Sequence, residues 1–407
     1  MKFGGTSVGD VSRIQNVAEI VSKFRRENPG VGVVVVLSAM AGETNRLVAL
    51  AKSCVERPCP REMDVLLASG EQVTVALLAM RLKGLGIPSK SFLAPQARIA
   101  TDTRHTNAQI EGIDGESLRA FLAEGGVPVV AGFQGVAETG DITTLGRGGS
   151  DITAVAIATA IRAETCFIYT DVPGVFSTDP RVCAEARLLE RVSHEEMLEM
   201  ASLGAKVLHA RSVYFAMRYA VPLVVLSTFA GDFKPGVNGT WIVSEEELME
   251  KPVVTGVTHR LEEARIMIEH LPSGIDAMAA LFDRLSARDI FIDMISQEEV
   301  DGNRINVSIT VPEEQSVLAE ETIKEILPTI GAEAVHVARD IAKVSIVGIG
   351  MRYHTGVAAR VFRRLASEKI DVQMVNTSEI KMSVLVDRKS CEAAVRALHA
   401  EFEPERA

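Results

Sequence analysis

Two textures of apolar and polar positions divide the chain near residue 248. In the first, short apolar runs alternate with longer stretches of helical period. The runs are Val33–Leu37, Val127–Ala131, Cys166–Tyr169 and Leu223–Leu226. A strand that is apolar on both faces has to be covered on both sides, so these runs predict a sheet between helix layers. The stretches of helical period are Val11–Arg26, Glu62–Leu85, Asp151–Ile161 and Ser193–Tyr219. A shorter helix, Leu118–Leu122, follows the turn Asp114-Gly115-Glu116-Ser117. This alternation gives an α/β layer fold for residues 1–248.

The charged stretch Ser244–Pro252 breaks the pattern and reads as a connection. Beyond it lies an internal repeat. Phe282, Leu285, Ile290 and Met294 recur eighty positions later as Phe362, Leu365, Ile370 and Met374. Each copy predicts strand, helix, strand, strand: Ala264–Ile268, Ala277–Ala287, Phe291–Ser296 and Arg304–Thr310, then Ala342–Val347, Val357–Ser367, Val372–Thr377 and Lys381–Val386. A further helix follows each copy, Gln315–Leu327 and Cys391–Ala400. Units this small have sheet edges and apolar faces to cover, so pairing within or between chains is expected.

Composition narrows the classes. At 47% hydrophobic and 24% charged residues, the chain is a globular protein. Its net charge of -11, without a basic cluster, leaves little counterion-release energy for nucleic acid. Five cysteines, odd in number and ungrouped, read as free thiols in a reducing cytosol and give no metal site. The opening Met1–Gly5 leaves no room for a signal peptide, and the apolar runs are strand-length, so no membrane association is expected.

Five segments carry chemistry. Lys2-Phe3-Gly4-Gly5-Thr6-Ser7 offers a compact cation beside bare backbone amides that can approach phosphate oxygens. Its spacing is not that of a P-loop. Leu145-Gly146-Arg147-Gly148-Gly149-Ser150-Asp151 sets three glycines and an anion-binding fork directly before a helix. Ser150 or Asp151 alone would read as a cap; a cap needs neither the glycines nor the arginine. Tyr169–Phe176, running on to Arg181, follows a strand end, where ligands gather in open α/β sheets. A plain surface loop is the alternative. Ser38, at the end of another apolar run, and Glu71, inside an apolar helix, suit a small polar substrate carrying an ammonium. Together the residues support phosphate handling and leave the acceptor open.

In this order the motifs closely resemble those of aspartate kinases, members of the amino-acid kinase family that carry two ACT-type regulatory units. The markers are Lys2–Gly9, Thr144–Asp151, Tyr169-Thr170-Asp171, Thr178–Arg181 and Gly204-Ala205-Lys206-Val207-Leu208-His209. The resemblance implies a three-layer α/β/α kinase sandwich over residues 1–248. Residues 249–263 would be a linker and a strand given to the second ACT unit. Two ferredoxin-like ACT units would follow, over 264–333 and 334–407, one inserted in the other. It implies transfer of the γ-phosphoryl of ATP, with Mg2+, to the β-carboxylate of L-aspartate, opening the route to lysine, threonine and methionine.

By the same resemblance Lys2, Arg147 and Asp151 are the catalytic set, and Ser38, Thr44, Glu71, Arg147 and Ser150 hold aspartate. Lys2, Gly4, Gly5, Thr170, Asp171, Phe176, Ser177, Asp179, Arg181 and Lys206 surround the nucleotide. Lysine, threonine or both would act as feedback effectors. Their implied contacts are Asp276, Phe291, Ile292, Asp293, Met294 and Gln297 in one unit. In the other they are Thr355, Gly356, Val357, Val372, Gln373, Asn376 and Thr377. A cytoplasmic homo-oligomer joined through ACT units is implied, with an internal start at Met249 as a source of a separate small subunit.

The chain departs from the family at Ile275-Asp276 and Thr355, where Pro-Gly and proline are usual, at Asn306, and at Ala210 in His209-Ala210-Arg211. Two rival readings stand beside this one. The first is a kinase of the same fold acting on glutamate, acetylglutamate or a nucleoside monophosphate. The second is a catalytically inactive amino-acid sensor.

Overall fold

The continuous apolar runs become neighbouring strands of one sheet. In order, its eight strands are Arg191–Ser193, Thr240–Val243, Leu223–Ser227, Cys166–Thr170, Lys2–Phe3, Val35–Leu37, Val127–Ala131 and Ser89–Phe92. The last six are parallel. The structure is a computed structural model that describes residues 1–205, 207–230, 238–248 and 252–402. Its contacts form two units. The first holds Met1–Phe176, Leu188–Ser202 and the described part of 206–250; the second holds Ser177–Arg187, Leu203–Ala205 and the described residues beyond 251.

In the first unit, strand alternation sorts the two layers. Phe3, Val35, Leu37, Val127, Val129 and Tyr169 join one core with Ile14, Val17 and Val21 of helix Val11–Glu27 and Val75, Leu78 and Leu82 of helix Pro60–Gly84. Phe3 and Tyr169 stack with centroids 4.4 Å apart. Fully burying each large side chain contributes roughly 1.5–3 kcal/mol. The two-residue strand Lys2–Phe3 therefore turns Lys2 to the opposite face, the side of helix Gly149–Ile161. A separate four-stranded sheet, absent from the sequence reading, is ordered Ile110–Ile113, Ile99–Thr101, Gln134–Ala137, Ile142–Thr144.

The expected helix over Ser193–Tyr219 is instead two, His194–Ser202 and Ala210–Arg218. Gly204 sits at φ +120°, a conformation closed to ordinary L side chains, and His209 caps the second helix by accepting the Arg211 amide at 3.3 Å. Helix Pro60–Gly84 is long and apolar enough to cross a membrane by length and composition, a property that counting continuous apolar runs misses because Glu71 and Gln72 interrupt it. It is a core helix: Leu67, Val75, Leu78 and Leu82 are buried, and so are Asp64 and Glu71.

In the second unit the two repeats merge into one six-stranded sheet, ordered Ile295–Asp301, Arg304–Pro312, Gly256–Pro272, Ala334–Val347, Lys381–Asp387, Met374–Thr377. The expected linker and first strand are one 17-residue strand, Gly256–Pro272. Its start pairs Gly256–Arg260 with Val347–Lys343, and its later part pairs Arg265–Glu269 with Ala338–Ala334. The expected strand over Phe291–Ser296 begins only at Ile295, because the preceding amides are used elsewhere. That of Phe291 goes to the Gln315 side chain and that of Met294 to the Thr310 hydroxyl. Likewise Val372 and Gln373 precede the strand that begins at Met374.

Register shifts in Gly256–Pro272 fall on either side of Glu263. There Lys343, 1% exposed, reaches Glu263 at 3.0 Å and also pairs with Asp293. Arg260 adds a fourth charge, 3.1 Å from Glu263. Removing one member of a buried ion group strands the others. Lys343→Met should accordingly destabilise the protein by about 3–5 kcal/mol, with Lys343→Met/Glu263→Met recovering much of the loss. Denaturant unfolding of the full chain measures both.

Candidate active site

The first unit gathers its polar residues beyond the carboxyl ends of the parallel strands, where the peptide chain leaves the sheet. Lys2 Nζ lies 2.6 Å from Asp151 Oδ1. Asp151 occupies the first turn of helix Gly149–Ile161, whose N-cap Gly148 is left-handed at φ +71°. A carboxylate there is favoured by the helix dipole, and the buried ammonium needs that counter-charge.

Backbone packing around the pair is close. The Gly4 amide donates to Tyr169 O at 3.2 Å, the Ala41 amide to Gly5 O at 3.1 Å, and the Gly132 amide to Leu37 O at 2.9 Å. A Cβ on Gly5 would stand 3.0 Å from Ala39 O, and one on Gly132 would stand 2.8 Å from Ser150 Oγ. Side chains at these two positions would displace the neighbouring chain. Ser150 is buried, and Ser38 gives its carbonyl to the Thr74 hydroxyl at 2.9 Å. Thr44 is exposed in the first turn of helix Glu43–Cys54.

Glu71 is 3% exposed, and its Oε1 accepts the Ala39 amide at 3.0 Å. Its other oxygen, Oε2, is buried with no hydrogen-bond partner among the described residues. Burial raises the carboxyl pKa to about 7, against the opposing pull of the Ala39 amide. Such a group calls for a cationic partner when ionised. Ala39 follows strand Val35–Leu37, which pairs directly with Lys2–Phe3, so Glu71 opens one strand away from Lys2.

Arg147 is exposed on the glycine loop. A Cβ on Gly148 would come 2.3 Å from His209 Cβ, so the loop lies against His209. Burial first, and then Arg211, lowers the His209 pKa; Asp151 opposes them and Arg147 adds to them. Arg147 and Asp151 thus act on one imidazole. Thr170 donates to Asp171 at 3.2 Å, and Thr170 O accepts the Thr228 amide at 2.9 Å, closing the strand end.

The predicted nucleotide residues are divided between the two units. Phe176 bridges to Leu188 in the first unit. Ser177, Asp179 and Arg181 belong to the second. There the Ser177 hydroxyl lies 2.9 Å from His399 Nε2 and accepts the Arg187 amide at 2.9 Å, and Asp179 and Arg181 pair with each other at 2.7 Å. Lys206 lies outside the described residues, as does Met249. A cavity of about 1280 Å³ in the first unit lies along helix Val11–Glu27 and is lined by neither Lys2, Glu71 nor Arg147.

Among the residues expected at effector sites, Gly356, Val357 and Thr377 line a cavity of about 320 Å³ with Arg352, His354 and Glu379. Thr355, Val372, Gln373 and Asn376 lie outside its lining. Asp276 is exposed at the start of helix Ile275–Ser286, Phe291 is exposed, and Ile292 and Met294 pack into cores. Asp293 is held by Lys343, and Gln297 stands opposite Val307 on an exposed strand.

The sequence pattern of the amino acid kinase family matches residues 1–227, and that of the ACT domain matches residues 344–402. The chain is 51% identical to an aspartokinase of Pseudomonas aeruginosa over 99% of its own length and 96% of the relative's. It is 45% identical to one of Geobacillus stearothermophilus over 98% and 96%. The chain belongs to the aspartokinases of the amino acid kinase family. Among solved structures, E. coli aspartokinase III in complex with aspartate and ADP is 27% identical, covers 99% of each chain and superposes with a TM-score of 0.80. The same enzyme in complex with lysine and aspartate gives 0.75 at 27% identity, covering 98% of each. The aspartokinase fold thus spans the kinase sheet and the ACT region alike.

Because Glu71 has to be ionised to hold an ammonium, kcat/KM for an ammonium-bearing substrate should fall as pH drops below about 7, approaching tenfold per pH unit. Glu71→Gln should lower kcat/KM and flatten that limb. Initial rates between pH 5.5 and 9 measure both effects.

Proposed function

We propose that the chain transfers the γ-phosphoryl group of ATP to the β-carboxylate of L-aspartate, giving 4-phospho-L-aspartate and ADP. The observation that carries this reading is the pairing of a phosphate-directed cation with an unmet carboxylate at one end of one sheet: Lys2 with Asp151, and Glu71 with its free Oε2. An acceptor bearing both an ammonium and a carboxylate suits Glu71 and the exposed Arg147, with Ser38, Thr44 and Ser150 around it. The bound aspartate of E. coli aspartokinase III supports that choice over glutamate or acetylglutamate.

The acceptor carboxylate is already ionised near neutrality, so no strong general base is required. The reaction is an in-line displacement. A β-carboxylate oxygen forms a bond to the γ-phosphorus as the bond from that phosphorus to the β,γ-bridging oxygen breaks, and ADP keeps the electron pair. The chain's part is alignment and charge stabilisation. Lys2 steadies the oxygens of the migrating group, Gly4 and Gly5 present backbone to the phosphates, and Asp151 keeps the lysine oriented until they arrive. Thr170 and Asp171 lie at the nucleotide side, with the Phe176–Arg181 segment and Lys206 completing that set. Magnesium, carried on the ATP phosphates, supplies further neutralisation of their charge.

The second unit senses amino acids. Its ACT match and the lysine-bound E. coli relative support feedback by lysine, threonine or both, with the cavity at Gly356, Val357 and Thr377 as one effector site. Two ACT units over 264–333 and 334–407, association of chains through them, and a cytoplasmic location complete the reading.

ADP release measured with aspartate, glutamate and acetylglutamate tests the acceptor: activity on aspartate supports the reading, and its absence there refutes it. Lys2→Ala should lower kcat about a hundredfold to a thousandfold, with a far smaller change in KM for ATP. Thr377→Phe, which fills the effector cavity, should raise the half-inhibitory effector concentration about tenfold, a loss of about 1.4 kcal/mol. Inhibition curves with lysine and threonine, singly and together, measure it.

A further inference from the structure

We infer that Arg211 is a positioning residue for aspartate: it fixes the glycine loop that carries Arg147 without itself meeting the substrate. The inference rests on the reading of Arg147 as the grip on the substrate α-carboxylate. Arg211 is half-buried, in the first turn of helix Ala210–Arg218. Its guanidinium is spent on two stretches of backbone. Nη1 donates to Leu145 O at 2.6 Å and to Asn107 Oδ1 at 3.0 Å, and Nη2 donates to Ala108 O at 3.1 Å. Among the described residues it has no carboxylate within ion-pairing distance. A planar fork of five donors makes this three-way clamp; a single ammonium does not.

The clamped stretches, Asn107–Ala108 and Leu145, come from two separate connections that lie side by side. The Ala108 amide donates to Thr144 O at 2.9 Å, joining 106–108 to the strand from which the Arg147 loop departs. Gly146, at φ +73°, lies so close that a Cβ there would stand 3.0 Å from Asn107 Oδ1 and 3.2 Å from Thr106 O. The far side is anchored by Asp64, which is fully buried on helix Pro60–Gly84. Its carboxylate accepts the Thr144 hydroxyl at 2.5 Å and the Thr106 amide at 3.0 Å, and meets His105 Nδ1 at 2.8 Å. Arg147 itself is exposed, so the loop's position is set two residues earlier, at Leu145, by the fork.

Three variants test this, each assayed for KM, kcat and thermal melting. Arg211→Met should raise KM for aspartate about tenfold to a hundredfold, since sub-ångström displacement of a binding group has effects of that order, while KM for ATP stays near the parent value. Arg211→Lys keeps the charge and loses the fork, and should resemble Arg211→Met. Asn107→Ala, which removes one of the three bonds, should move KM for aspartate in the same direction by less and add little in the Arg211→Met background. An unchanged KM for aspartate in folded Arg211→Met or Asn107→Ala, an equal rise in both KM values, or parent-like behaviour of Arg211→Lys would each overturn the inference. Arg147→Ala separates the two readings. If it leaves KM for aspartate unchanged, the carboxylate grip is wrong; if it raises that KM and Arg211→Met does not, only the positioning role fails.

Discussion

A charge removed from water has to be answered by another, and the kinase unit is organised around that requirement. Lys2 belongs to a strand of two residues between Cys166–Thr170 and Val35–Leu37, so the sheet dictates where its ammonium can go. Phe3 fills the core on one face, which commits Lys2 to the other. The counter-charge comes from Asp151, which the start of helix Gly149–Ile161 holds in the positive field of its own dipole. The two opposite charges lie 2.6 Å apart, although Asp151 Oδ1 makes no well-directed hydrogen bond among the described residues. In the proposed reaction the incoming phosphate oxygens offer Lys2 further negative charge, and the ammonium needs no reorganisation of the sheet to receive them.

Glu71 shows the same rule left open. Its Oε1 is satisfied by the Ala39 amide; its Oε2 is buried without a partner among the described residues, and burial pushes the carboxyl pKa up to about 7. A fold that leaves a buried carboxylate oxygen unmet bears a stability cost, and such costs collect where a ligand is to supply the missing partner. Glu71 and Asp64 lie seven positions apart on one helix, hence on the same face, and both are buried. They answer burial differently. Asp64 is saturated by Thr144, Thr106 and His105 and shapes a loop, whereas Glu71 keeps an oxygen for something else.

This contrast marks what the sequence discloses. The parallel strands were legible because strands covered on both faces have to be apolar throughout, and the glycine loop was legible because three glycines around an arginine serve no ordinary cap. Glu71 stood out as a carboxylate in an apolar helix. Asp64 did not, although the same helix and the seven-residue spacing carried the signal. The role of Arg211 was invisible, since donors aimed at backbone carbonyls of distant loops leave no local pattern. The break at Gly204 was hidden for a similar reason: a Cβ there would meet His259 O at 2.2 Å, a contact between residues far apart in the chain. The internal repeat was plain, but its fusion into one sheet depends on strand pairing that periodicity does not encode.

That fusion has a mechanical consequence within the regulatory unit. Strands Gly256–Pro272 and Ala334–Val347 run through both halves, so each contributes to two cores. Val257, Val344 and Ile346 pack with Val361 and Val395, while Ala264, Ile266 and Ile268 pack with Leu281 and Ile323. The changeover falls at the register shifts flanking Glu263, where Lys343 holds Glu263 and Asp293 together. Asp293 lies in the irregular segment before strand Ile295–Asp301; its amide donates to Thr310 O and Met294 O accepts the Thr310 amide, while the Phe291 and Met294 amides go to the side chains of Gln315 and Thr310. The segment meets the shared strands through the ion group and through Met294, which packs with Ile341; without Asp293, Lys343 would be left with Glu263, which Arg260 also contacts. The join between the two halves is thus held by charge as well as by the shared ladder.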